Sequence, residues 1–311
     1  MARVVVAAGM ALALLADPGH AQTPSEAPDP KAKELAEAIV AADGDRARAS
    51  ALSSMELGLT VQIENSLEPI ASVKKDSIAG IVHRSVQTLE DDLVEARVSA
   101  MAQTYTIEEL KGYLDFENSP AGQALRGAAP ELNRSLMSVL GPDAPVPDGP
   151  PSSEQKLALI NRILTARDIE PSARKGWRVL NATMMNAFSD IAKNAAPPGA
   201  IKSDQVAENA YAKRVVTAET QFYSKNFSDE QLAEMAAFFD GPTGRAFVRR
   251  APQLSSIVAS AVPGIFDRQF ERMDREACAA VDCSADQRAA LNARLGQVRS
   301  IIAMGANAMA H

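Results

Sequence analysis

The chain has 311 residues, of which 46% are hydrophobic and 23% charged, so it carries apolar material for more than one core and is not a disordered polyelectrolyte. A formal net charge of -7 repels a nucleic-acid backbone on average and disfavours attachment to anionic lipid by charge. Aromatic residues make up only 5%, which leaves the apolar weight on Ala, Leu, Ile, Val and Met, a mixture that favours helices over sheets.

Residues 1–21 read as a secretory signal peptide. Arg3 supplies a positive start, Val4 to Ala16 form an apolar run, and Asp17-Pro18-Gly19-His20-Ala21 breaks it before a small-x-small cleavage site. The run is shorter than the ~20 residues a bilayer span needs, and no Cys follows it to accept a lipid anchor. The mature chain is therefore expected to begin at Gln22 and to lie in the periplasm.

Residues 22–30 are polar and Pro-rich, the composition of a flexible leader. Residues 31–140 form a first predicted helical repeat unit, in which apolar residues recur at spacings of three and four, as in Ile78, Ile81, Val82, Val86, Leu89 and Leu93. Residues 141–152 hold five prolines, which neither a helix nor a central strand tolerates, and are expected to link two domains. A second helical unit follows at 153–275, then a helical extension at 276–311. The expected fold is all-α: two tandem helical-bundle units with a hairpin in each, plus a C-terminal helix.

The two halves share a motif. Leu110, Phe116, Pro120 and Gly122 recur as Leu232, Phe238, Pro242 and Gly244, each pair offset by the same 122 positions, which marks an internal duplication. Thr106 and Ser228 suit an N-cap, with Glu109 and Gln231 completing a capping box and Glu108 and Glu230 favouring the positive helix end. That helix stops at Asn118-Ser119 or Asp240-Gly241, where Pro120 and Pro242 begin the next helix at the one position proline fits. A helical hairpin follows. Gly122 and Gly244 fall in the first turn of its second helix, where glycine is poor for helix formation, so close packing against the preceding helix is the expected reason for them.

The hydroxyl-x-Glu-x-Leu helix start, the aromatics near the helix end and the corner Ser119-Pro120-Ala121-Gly122 resemble the family called domain of unknown function 2059, found in exported bacterial proteins. The second corner, Gly241-Pro242-Thr243-Gly244, departs from that form and lacks the N-cap oxygen. The resemblance implies a helical fold and an envelope location, in two tandem copies. It implies no activity and no catalytic residues.

Chemistry-bearing candidates are few. Beyond the signal segment the only histidines are His83 and His311, too little for a hydrolase triad or a zinc site. Glu90, Asp91, Asp92 and Glu95 read as a solvated helix face balanced by Arg84 and Arg97. Gly241-Pro242-Thr243-Gly244-Arg245 lacks the remaining residues of a phosphate-binding loop, and the basic run of Arg245, Arg249 and Arg250 reads as surface. Trp177 is expected to be buried. Cys278 and Cys283 enclose four residues and are expected to pair across a turn, with Ser284 to Gln287 capping a fresh helix.

No catalytic residue, cofactor or metal is therefore expected. The reading is an exported, non-enzymatic interaction or scaffold protein of the cell envelope, with an envelope protein as partner and no nucleic acid. The alternative is a periplasmic carrier or chaperone for an apolar ligand, a lipid or peptide, with Met184, Met185 and Met235 opening around it.

Overall fold

The computed structural model describes residues 28–42, 60–61, 63, 75–139, 153–192 and 205–310, without the side chains of 75, 180, 182–192, 297, 298 and 300–310. The signal segment, residues 22–27 of the leader, the proline-rich 141–152 and His311 lie outside the described residues, as do the side chains of Met184 and Met185. Among the described residues there is no strand, and ten helices have defined bounds. They are α1 (Pro30–Ala42), α2 (Lys75–Thr104), α3 (Ile107–Glu117), α4 (Pro120–Ser138), α5 (Glu154–Ala166), α6 (Ile169–Ala192), α7 (Gln205–Asn226), α8 (Asp229–Asp240), α9 (Pro242–Val281) and α10 (Ala285–Ala310). The fold is all-α.

Local chemistry places the helix ends of the repeated motif. Thr106 Oγ1 accepts the Glu109 N–H and the Glu109 carboxylate accepts the Thr106 N–H, a complete capping box that starts α3. Ser228 and Gln231 make the same pair at α8. Glu230 is held below the ordinary carboxylate range by the Ser228 hydroxyl and its own backbone N–H, consistent with a first-turn position. At the first corner the Ser119 hydroxyl accepts the Gly122 N–H at 3.2 Å, ahead of Pro120.

Gly241 occupies the corresponding place before α9 with φ -75° and ψ 168°, against -74° and 162° at Ser119. The two backbones are alike, so the second corner merely lacks the oxygen. Gly241→Ser is therefore expected to stabilise the protein by a few tenths to ~1 kcal/mol, through the cap and through a less mobile unfolded chain. The new Cβ would lie 3.1 Å from the Phe238 carbonyl oxygen, and a melting temperature at or below wild type would contradict the expectation.

The chain forms two compact units whose boundaries differ from those expected. One takes residues from 45–100 and 254–311, the other from 23–44 and 101–253, and the boundaries fall inside α2 and α9. Each unit draws on both halves of the sequence, rather than 31–140 packing apart from 153–275. In the first unit Ile78, Ile81, Val82, Val86 and Leu89 of α2 share a core with Val262, Phe266, Phe270 and Met273 of α9 and Leu291 and Leu295 of α10. Arg84 ties α2 to Glu276 there, and Gln269 Nε2 donates to Asp92, so the acidic face of α2 is partly engaged rather than wholly solvated. His83 is exposed.

The second unit holds both hairpins. α3 packs against α1, which buries Ala32, Ala36, Ile39 and Val40, while α8 packs against α5, which buries Ile160, Ile163 and Leu164.

Candidate functional site

The repeated residues converge within the second unit. Phe116 of α3 and Phe238 of α8, equivalent positions of the two copies, stack with ring centroids 4.0 Å apart and planes 7° from parallel. Beside them Phe247 of α9 stacks on Tyr105 at 4.0 Å and on Tyr113 at 4.1 Å. Leu110, Leu232, Met235 and Ala236 are fully buried. Met235 belongs to the core around the stacked phenylalanines rather than to an opening.

Each copy's second hairpin helix also leans on the other copy. The start of α9 is tied to the first half by Arg250, whose guanidinium donates to the Thr104 carbonyl at 2.8 Å and to Glu109 at 2.9 Å. The end of α4 is tied to the second half by buried Arg214, which donates to the Val139 carbonyl at 3.2 Å. Both arginines thus meet carbonyls at helix C-termini, where the helix dipole favours a cation. Lys225 of α7 adds an ion pair with Glu131 of α4 at 2.8 Å, and its hydrogen bond holds that carboxyl below the usual range. This reciprocal packing is the physical reason why the compact unit does not follow the sequence halves. Arg250 accordingly belongs to the packing and not to the exposed basic run.

The corner glycines answer to the backbone. A Cβ on Gly122 would fall on the Phe116 carbonyl oxygen and 2.9 Å from Glu117 Cα. On Gly244 it would fall on the Phe238 carbonyl oxygen and 2.7 Å from Phe239 Cα. The expected close packing is present, and its partner is the preceding main chain rather than the phenylalanine ring. Pro120 and Pro242 open the two helices as expected.

A polar cluster that sequence reading missed lies beside this aromatic seam. Arg167, at the end of α5, donates to Glu219 at 2.9 Å and to the Tyr223 hydroxyl, both on α7. Its guanidinium also sits over the Phe239 ring at 5.6 Å. Glu219 is 4% exposed and Tyr223 fully buried. Burial opposes the charge on Arg167, yet Tyr223 and Glu219 beside it hold its pKa above the ordinary value. Burial pushes the Tyr223 hydroxyl up to about 12, so it receives the Arg167 N–H as a neutral phenol. Glu219 and Tyr223 lie 52 and 56 positions from Arg167, and no local spacing announces that they meet it.

Cys278 and Cys283 pair as expected in the first unit, with Cα atoms 4.8 Å apart. Asp282 between them takes φ 56°, and Ser284 with Gln287 forms the capping box of α10. Trp177 is only partly buried, its ring centroid 5.2 Å from that of Tyr211. Among the described residues no three of His, Cys, Asp and Glu gather to hold a metal ion, and no helix is long and apolar enough to cross a membrane.

The protein is all-α, and in its second unit two capped helical corners meet across the stacked Phe116 and Phe238. Residues 216–263 match a family described as an uncharacterized protein conserved in bacteria (DUF2059). The matched segment runs from α7 through α8 and the Gly241–Gly244 corner into α9, and so covers the second copy. The first copy, expected to match as well, is not matched. No curated protein and no solved structure matches the chain.

Proposed function

We propose that the chain is a non-enzymatic scaffold protein, exported to the bacterial periplasm, that holds two copies of the matched helical fold and acts through its surface on an envelope protein. The observation that carries this reading is the use made of the duplicated motif. Its equivalent phenylalanines and its Glu109 are spent on joining the two corners into one unit, an arrangement that builds a rigid platform. The family match supports a bacterial origin, and the paired cysteines fit an oxidising compartment.

Photo-crosslinking groups placed at the exposed apolar positions Met137 and Val206 test the reading in intact cells. A discrete crosslinked protein is expected, from a mature chain whose N-terminal sequence begins at Gln22. Absence of a crosslinked protein, together with a lipid or peptide copurifying in native mass spectrometry, would replace the scaffold with the carrier.

A further inference from the structure

We propose that the Cys278–Cys283 disulfide is a redox-sensitive latch that holds the final helix, α10, on the core of the first unit. The bond lies at a helix terminus of recognisable form. Cys283 N–H donates to the Cys278 carbonyl at 3.1 Å across Asp282, which takes φ 56°. This is the six-to-one hydrogen bond of a Schellman motif, with Asp282 at the left-handed position that glycine normally fills. Such motifs are usually reinforced by an apolar contact between the two residues flanking the turn. Here the flanking residues are the cysteines, and a covalent bond replaces that contact.

The turn is also the attachment of α10. Leu291 and Leu295 reach the core beside Phe270, Met273 and Val281. Arg299 lies over the Phe270 ring at 5.9 Å and within 3.6 Å of Asp267. Leu291 and Leu295 lie within the first three turns of α10, so the seating of both follows how its first turn is fixed. Loosening that turn would uncover the Phe270 and Met273 face of α9.

The two sulfurs differ in access. Cys278 is 1% exposed, whereas Cys283 is only partly buried. A thiolate of an external dithiol therefore attacks Cys283 Sγ; the Cys278–Cys283 bond breaks, and Cys278 leaves as a thiolate. In its apolar surroundings that thiolate takes up a proton. The second thiol of the dithiol then displaces Cys283 from the mixed disulfide, and Cys283 is protonated in turn. The protein gains two electrons and two protons, and the dithiol becomes a disulfide.

Hydrogen exchange read by mass spectrometry on the full oxidised chain, with and without dithiothreitol, tests the latch. Reduction is expected to speed exchange in α10 by at least ten-fold while α3 and α8 stay unchanged, and reoxidation is expected to restore protection. The variant with Cys278→Ser and Cys283→Ser should show the fast exchange whether or not dithiothreitol is present. Three results would overturn the proposal: equal α10 exchange in both redox states, a disulfide that dithiothreitol cannot reduce in the folded protein, or a loss of protection spread over the whole chain.

Discussion

Gly122→Ala and Gly244→Ala are each expected to destabilise the protein by ~1–3 kcal/mol, although alanine is the better helix former by up to ~1 kcal/mol. The new methyl carbon has no free volume to enter. At Gly122 it meets the carbonyl carbon of Phe116 at 2.8 Å, and at Gly244 that of Phe238 at 2.9 Å. The obstacle is main chain in both cases, so no rotamer change relieves it. The helix must instead lift from the corner, which also disturbs the Ser119 hydroxyl cap on the Gly122 N–H in the first copy. It would further shift Phe116 against Phe238, the contact between the two copies. A leucine adds bulk to the same clash and is expected to be worse. Gly127 in α4 is the control, since a Cβ there meets nothing within 4 Å. Gly127→Ala should raise the midpoint of thermal unfolding, while the two corner variants lower it by several degrees. Midpoints for Gly122→Ala and Gly244→Ala at or above that of wild type would show that the corners yield easily.

The corners were legible because their determinants are local. An N-cap hydroxyl, its partner three residues on, a proline at the first helical position and a glycine two residues later each act within one turn. The Cys278–Cys283 pairing and the Ser284 cap were legible for the same reason. Partner choice was not. Once a motif is duplicated, Leu110 and Leu232 lie on equivalent apolar stripes, and either stripe fits either copy's partner helix. Sequence periodicity therefore predicted hairpins without saying whether α4 would pack only on its own half or, as it does, on α7 and α8 as well as on α3. The helix lengths were hidden for a different reason. α9 runs unbroken through Pro252 and Pro263 over 40 residues, so tertiary packing overrides two local breakers. Arg250 illustrates the remaining gap. In sequence it is the last of a basic run, and only its reach to Thr104 and Glu109, 146 and 141 positions away, reveals its role.

Arg167→Met is expected to cost about 3 kcal/mol, because it removes the cation and leaves Glu219 behind. The Glu219 side chain is 5% exposed, and Arg167 is its ion-pair partner at 2.9 Å. The Tyr223 hydroxyl loses the same donor, which adds the penalty of a buried polar group stripped of a hydrogen bond. Methionine keeps much of the aliphatic volume over the Phe239 ring, so the loss reports charge and hydrogen bonding rather than a cavity. Because the Arg167 side chain is 26% exposed, water can enter the vacated space and soften the effect toward ~2 kcal/mol. Combining Arg167→Met with Glu219→Gln removes both charges, and it should recover at least half of the lost stability. Urea unfolding of the two single variants and the double variant closes the cycle. Strict additivity of the single effects would mean that Arg167 and Glu219 do not support each other, and that α5 is held on α7 by its buried Ile160 and Ile163 instead.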